Sequence, residues 1–109
     1  MSDITTLQKE ALAFRDARDW AQFHNAKDLA AGLSIEASEL LECFLWKDAK
    51  SADPEKVREE LADVLVYALI LAHEAKIDVA SAIREKLAKN ALKYPVDKAR
   101  GRADKYDRL

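Results

Sequence analysis

Two acidic pairs have a spacing that can do chemistry: Glu36 with Glu39, and Glu60 with Asp63. In each pair the carboxylates are three residues apart, so on an α-helix they emerge from one face about a turn apart. Two antiparallel helices joined by a short loop bring such pairs face to face and place four oxygen donors in one cleft. Four converging carboxylates repel one another, and their pKa values rise until a cation neutralises them. Hard oxygen ligands select Mg²⁺, with Mn²⁺ able to substitute, and so point to phosphate chemistry. Asp63 is the most telling member, because it lies in the most apolar run of the chain, Leu61 to Ala72. An unpaired charge there costs roughly several kcal/mol. An E-x-x-E spacing alone is common on solvated helix faces, so the two pairs together carry the reading. A di-iron bundle is disfavoured, since neither His24 nor His73 has a Glu three residues before it. Both histidines and Cys43 read as structural.

These pairs need helices to position them. With two Gly and two Pro in 109 residues and 50% hydrophobic content, the expectation is a single all-α domain over residues 1–109. Leu7, Ala11, Phe14 and Arg18 predict an amphipathic helix over about Thr5 to Arg18. Asp19 to His24 reads as a turn or a short separate helix. A second helix is predicted from near Asn25 to about Lys47, with Leu29, Leu33, Leu40 and Phe44 along its stripe. A polar loop, Asp48 to Asp53, follows. Asp53-Pro54-Glu55 starts a third helix reaching about Lys76, because Asp caps free amides and Pro at the first position forgoes no hydrogen bond. That helix is apolar on nearly every side from Leu61 to Ala72, which predicts cover by a partner subunit. Asp78 caps a fourth helix running to about Lys93, stopped by Pro95 through its missing amide and its restriction on Tyr94. Residues 96–109 make a basic C-terminal tail.

The balance of 18 basic against 20 acidic residues argues against wholesale coating of a nucleic acid polymer. A single cysteine forms no internal disulfide, and no Cys/His spacing resembles a zinc site. The N-terminus lacks a charged start followed by an apolar core, and no apolar run reaches the roughly 18 residues that span a bilayer. A cytoplasmic protein without membrane partners is expected. A chain this short buries a limited share of its surface, so a homodimer or homotetramer is expected as well.

Several separated segments then line up in order: Arg18-Asp19-Trp20-Ala21-Gln22-Phe23-His24; Glu36-x-x-Glu39 through Leu45-Trp46-Lys47; and Glu59-Glu60-Leu61-Ala62-Asp63-Val64-Leu65-Val66-Tyr67. Lys93-Tyr94-Pro95 and Lys98-Ala99-Arg100-Gly101-Arg102 with Lys105-Tyr106 close the series. Together they resemble the MazG-like all-α NTP pyrophosphohydrolases, most closely the small dCTP pyrophosphatase branch. The resemblance implies a four-helix core assembled as a dimer or dimer of dimers. It also implies house-cleaning hydrolysis of a nucleoside triphosphate between the alpha and beta phosphates, giving the monophosphate and pyrophosphate.

Carried over position by position, it makes Glu36, Glu39, Glu60 and Asp63 the magnesium ligands. One of the glutamates, or the metal, activates water; Glu39 is favoured, with Glu36 the other catalytic candidate. Trp20 and Trp46 look like base-stacking walls. Tyr67, one turn beyond Asp63, together with Asn90 and Lys93, would bind substrate, and Arg100, Arg102 and Lys105 would close over the triphosphate in their own or a neighbouring site. The chain departs from the pattern at Ala11, where some dCTP-preferring relatives place a histidine near the base; dCTP and a broader set of deoxynucleotides both stay open. The competing reading is a non-catalytic helical interaction or regulatory module, its carboxylates paired with Lys and Arg. That module gives Asp63 no role.

Overall fold

The computed structural model describes residues 3–109. Among them are five α-helices and no strand: α1 Ile4–Ala17, α2 Ala26–Glu42, α3 Pro54–Glu74, α4 Val79–Lys93 and the single-turn α5 Val96–Ala99. Short 3₁₀ turns occupy Trp20–Phe23, Ala49–Ser51 and Tyr106–Arg108. The all-α expectation holds, and no described helix is long and apolar enough to cross a membrane.

Each long helix starts on a side-chain cap. Asp3 accepts the Thr6 amide at 2.7 Å, Asn25 that of Asp28 at 2.8 Å, Asp53 that of Glu55 at 3.0 Å and Asp78 that of Ser81 at 3.2 Å. These carboxylates and amides satisfy amides that the first helical turn leaves free. The helix ends follow expectation except for α2, which stops at Glu42 and not near Lys47. Beyond it the chain tightens into i to i+3 hydrogen bonds at Cys43, Phe44 and Leu45, and Trp46 turns it through the left-handed region at φ 63°. Trp46 and Lys47 therefore sit on a turn.

The chain forms two compact units, divided after Ile77. In the first, α2 and α3 pack as an antiparallel pair: Gly32 lies against Tyr67, and further along Glu36 faces Glu60 and Asp63. A Cβ on Gly32 would stand 3.0 Å from Tyr67 Cδ1 and closer still to Cε1, so this close approach needs a residue without one. α1 lies along α3 in the same direction, since Gln8 Nε2 donates to the Leu69 carbonyl at 2.9 Å and Arg15 donates to Glu74 at 2.6 Å. Arg15 is 5% exposed and also bonds Asp16 at 3.0 Å. Burial alone would lower its pKa, but the hydrogen bonds it donates to Glu74 and Asp16 outweigh that and raise it. Arg18, one turn beyond Phe14 as the helical spacing predicts, lays its guanidinium over the Phe14 ring, 3.6 Å from the centroid.

Leu29, Ala52, Ile70 and Ala72 form the buried core. Leu61, Leu65 and Val66 stay exposed on α3, the consequence of a helix that is apolar on more faces than α1 and α2 cover. Asp63 lies on this outer part of α3 and is itself exposed, so its expected setting as a charge sunk in apolar surroundings is corrected.

The second unit holds α4 and the tail, which carries more structure than a basic run announces. Tyr106 packs edge-on against Tyr94 with ring centroids 6.1 Å apart, and Lys93 Nζ stands 4.9 Å from the Tyr106 centroid. Gly101 makes the intervening turn at φ 75°, and Arg102 bonds Asp104 at 2.9 Å and the Arg108 carbonyl at 3.2 Å.

Candidate active site

Glu36 from α2 and Glu60 and Asp63 from α3 each offer an oxygen within 4.8 Å of the others. Glu36 Oε2 and Glu60 Oε2 are buried and, among the described residues, have no hydrogen-bond partner. Burial, then the neighbouring Glu39 carboxylate and the charges of Asp63 and Glu60, push the Glu36 pKa up. Burial, then the charges of Glu39 and Asp63, push Glu60 up, with Lys56 pulling the other way. Among the described residues, no ion pair involves Glu36, Glu39, Glu60 or Asp63. The module reading needs such pairs. Orphaned buried oxygens in an all-oxygen donor set fit a hard divalent cation. Glu39 stands just outside the three-donor set, its charge acting on both Glu36 and Glu60.

From Glu39 and Glu60 a cleft of about 440 Å³ opens toward the C-terminal end of α2 and the N-terminal end of α3, lined also by Glu42, Cys43, Lys47, Asp53 and Lys56. That volume falls within the roughly 300–1,000 Å³ of small-molecule sites. The sequence reading gave Cys43, Lys47 and Lys56 no place there. The available signal was Lys56 four residues before Glu60, and hence on its face. A second, apolar groove lies between α1 and α3, lined by Leu7, Ala11, Phe14, Leu65, Val66 and Leu69 among others, with Asp63 and Glu10 as its charged members.

The aromatic candidates have distinct settings. Trp20 packs edge-on against Phe14 at 5.9 Å and is half exposed, while Trp46 is 99% exposed beside Lys47, Asp48 and Ser51. The two indoles do not pack on each other. Tyr67 is half-buried against Gly32, one turn from Asp63. Asn90, Lys93, Arg100, Arg102 and Lys105 belong to the second unit, where Lys93 meets Tyr106, Arg102 meets Asp104, and Arg100 and Lys105 are exposed. The four carboxylates and Tyr67 thus share one stretch of the α2–α3 interface.

The MazG-like family matches residues 32–109, which contain all four carboxylates and run through both units. dCTP pyrophosphatase 1 of Mus musculus is 37% identical over 117 aligned positions, covering all of this chain and 67% of the relative. For dCTP pyrophosphatase 1 of Bos taurus the identity is 36%, over all of this chain and 68% of the relative. A crystal structure of a pyrophosphatase from Archaeoglobus fulgidus matches with a TM-score of 0.78 and 36% identity, over 87% of this chain and 94% of that one. A helix pair presenting converging carboxylates, a sequence likeness that spans this chain and a likeness in fold over 87% of it lead to one assignment: the chain belongs to the MazG-like family, on its dCTP pyrophosphatase branch, and is a nucleotide pyrophosphohydrolase.

Proposed function

We propose that this enzyme is an Mg²⁺-dependent house-cleaning hydrolase that cleaves dCTP or related deoxynucleoside triphosphates between the alpha and beta phosphates, releasing the monophosphate and pyrophosphate. The observation that carries this reading is the convergence of Glu36, Glu60 and Asp63 oxygens within 4.8 Å, two of them buried without a hydrogen-bond partner. Glu36, Glu60 and Asp63, with Glu39 beside them, would hold the cation; Mn²⁺ would substitute. When bound, the metal supplies positive charge that neutralises phosphate oxygens and eases deprotonation of water.

The chain's own groups do the rest. A water oxygen bonds to phosphorus, the bond to the bridging oxygen breaks with its electron pair leaving on that oxygen, and the water's proton passes to a carboxylate. Glu39 is our choice of acceptor, since it lies outside the three-donor set yet lines the same cleft, with Glu36 as the other candidate. Trp20, packed on Phe14, offers a face on which a base stacks, and Trp46, 99% exposed at the far end of the cleft, would offer its face to the base in a neighbouring copy's site. The groove holding Ala11, Phe14 and Asp63 offers that base an apolar setting. Tyr67 orients the sugar, and Asn90, Lys93, Arg100, Arg102 and Lys105 complete the substrate contacts, the basic groups on the phosphates. The exposed Leu61, Leu65 and Val66 support assembly as a homodimer or homotetramer, and we read residues 1–109 as one catalytic domain acting on the cytoplasmic nucleotide pool.

The test is product analysis of wild type and Asp63→Asn with each common dNTP and NTP plus Mg²⁺, resolving pyrophosphate from orthophosphate. We expect monophosphate and pyrophosphate from the wild type, fastest with dCTP or another deoxynucleotide, and loss of turnover in the variant. Orthophosphate as the product, or full activity in Asp63→Asn, would reject the reading.

A further inference from the structure

We infer that Lys56 is a substrate-binding residue whose ammonium holds the pyrophosphate end of the substrate in the cleft beside the carboxylates. The inference rests on the proposed release of pyrophosphate. Along α3 the order is Tyr67, Asp63, Glu60, Lys56, and along α2 and its turn it is Gly32, Glu36, Glu39, Cys43, Lys47. Because the helices are antiparallel, the two series run side by side from the Gly32–Tyr67 contact, through the carboxylates, to a lysine on each wall. Lys56 and Glu60 are one helical turn apart, about 5.4 Å along the axis.

A phosphate chain anchored at the carboxylates and pointing away from Tyr67 therefore extends toward Lys56, with Lys47 across from it. Among the described residues neither lysine forms an ion pair, although Glu42, Asp53 and Glu60 line the same cleft. Asp53 is already engaged in capping the α3 amide of Glu55 at 3.0 Å. The start of α3 adds its own positive end to the same wall. The two phosphates released together as pyrophosphate carry most of the substrate's negative charge, so a cation placed beside them favours binding.

Cys43, the chain's single cysteine, lines this cleft half-buried and reports its occupancy without any turnover. The experiment measures the rate of Cys43 alkylation by iodoacetamide on the full chain with Mg²⁺ as inorganic pyrophosphate is titrated in. We expect pyrophosphate to slow alkylation of the wild type, with the half-protecting concentration raised at least tenfold in Lys56→Met and within threefold of wild type in Lys56→Arg. Lys50→Met, an equal charge change on an exposed residue outside the cleft, should titrate like the wild type. KM for the triphosphate should rise in parallel in Lys56→Met. Wild-type protection in Lys56→Met, or no protection of the wild type by pyrophosphate, would overturn the inference. Protection that depends on Lys56 in an enzyme releasing no pyrophosphate from any nucleotide would support the subsite while rejecting the function proposed above.

Discussion

Gly32→Ala tests whether the active site depends on how closely α2 and α3 approach. The substitution improves helix propensity by about 1 kcal/mol, so a purely local view makes it stabilising. The new Cβ, however, would stand 3.0 Å from Tyr67 Cδ1 and closer still to Cε1. Carbon atoms prefer about 3.5–4.0 Å, so something must give by about 1 Å. Overpacking of this kind costs about 1–3 kcal/mol, and the net is a loss of up to about 2 kcal/mol, or a Tm drop of up to roughly 10 °C.

The way the strain is relieved decides the kinetic result. If the helices part, Glu36 moves from Glu60 and Asp63, Mg²⁺ binds less tightly and turnover falls by about 100-fold, the usual penalty for a displacement near 1 Å. If the Tyr67 ring swings away instead, Mg²⁺ affinity survives and the loss appears in KM. Calorimetric Tm with and without Mg²⁺, alongside kcat and KM for the best nucleotide, separates the two. Adding Tyr67→Ala to Gly32→Ala should restore the Mg²⁺-induced Tm shift by removing the obstructing ring. A Gly32→Ala protein with higher Tm and unaltered kinetics would refute the close-approach reasoning.

Other consequences follow from the same geometry. Glu60 has a folded pKa raised above its unfolded value, so its contribution to stability is present below the unfolded carboxylate range and is lost as pH rises through the raised value. Glu60→Gln should therefore melt above wild type in EDTA at pH 7.5, with the gap closing toward acid, while being catalytically inactive; a lower melting point at neutral pH in EDTA would contradict this. Arg15→Ala leaves Glu74, whose side chain is 28% exposed, without its partner. We expect a loss of about 2–3 kcal/mol, below the 3–5 of a fully buried pair, read as a lower urea midpoint with unchanged m; an unchanged midpoint would show that the pair is dispensable. Trp46→Gly should stabilise the fold by about 1 kcal/mol through relief of the left-handed conformation while raising KM about tenfold through lost stacking; stabilisation without a KM change would remove Trp46 from the substrate site.

What the sequence made legible is what local chemistry decides. Asn25, Asp53 and Asp78 announce the starts of α2, α3 and α4 because capping involves residues within three positions. The acidic pairs announce the donor cluster because three-residue spacing on a helix fixes a shared face. The parts that stayed hidden depend on partners distant along the chain. Arg15 is buried by Glu74, 59 residues away, so no nearby residue distinguishes it from the exposed Arg18. Gly32 reads as an ordinary weak point in a helix until Tyr67 is found against it. The early end of α2 leaves no mark in the sequence, because Trp46 takes the left-handed position that a glycine or asparagine usually marks.

The interface that holds α2 against α3 is also the interface that carries the charge. Gly32 and Tyr67 draw the helices together, and a turn further on Glu36 meets Glu60 and Asp63, whose repulsion pushes the same helices apart. The pair is thus preorganised for a cation at some expense to its own stability, and binding of that cation to the folded chain alone must return stability by mass action, about 2.7 kcal/mol at a hundredfold excess over Kd. Affinity for the metal and resistance to unfolding are then two readings of one spacing. Substitutions that relax the carboxylates stabilise the chain and impair its chemistry, whereas a Gly32→Ala change relieved by parting the helices impairs both.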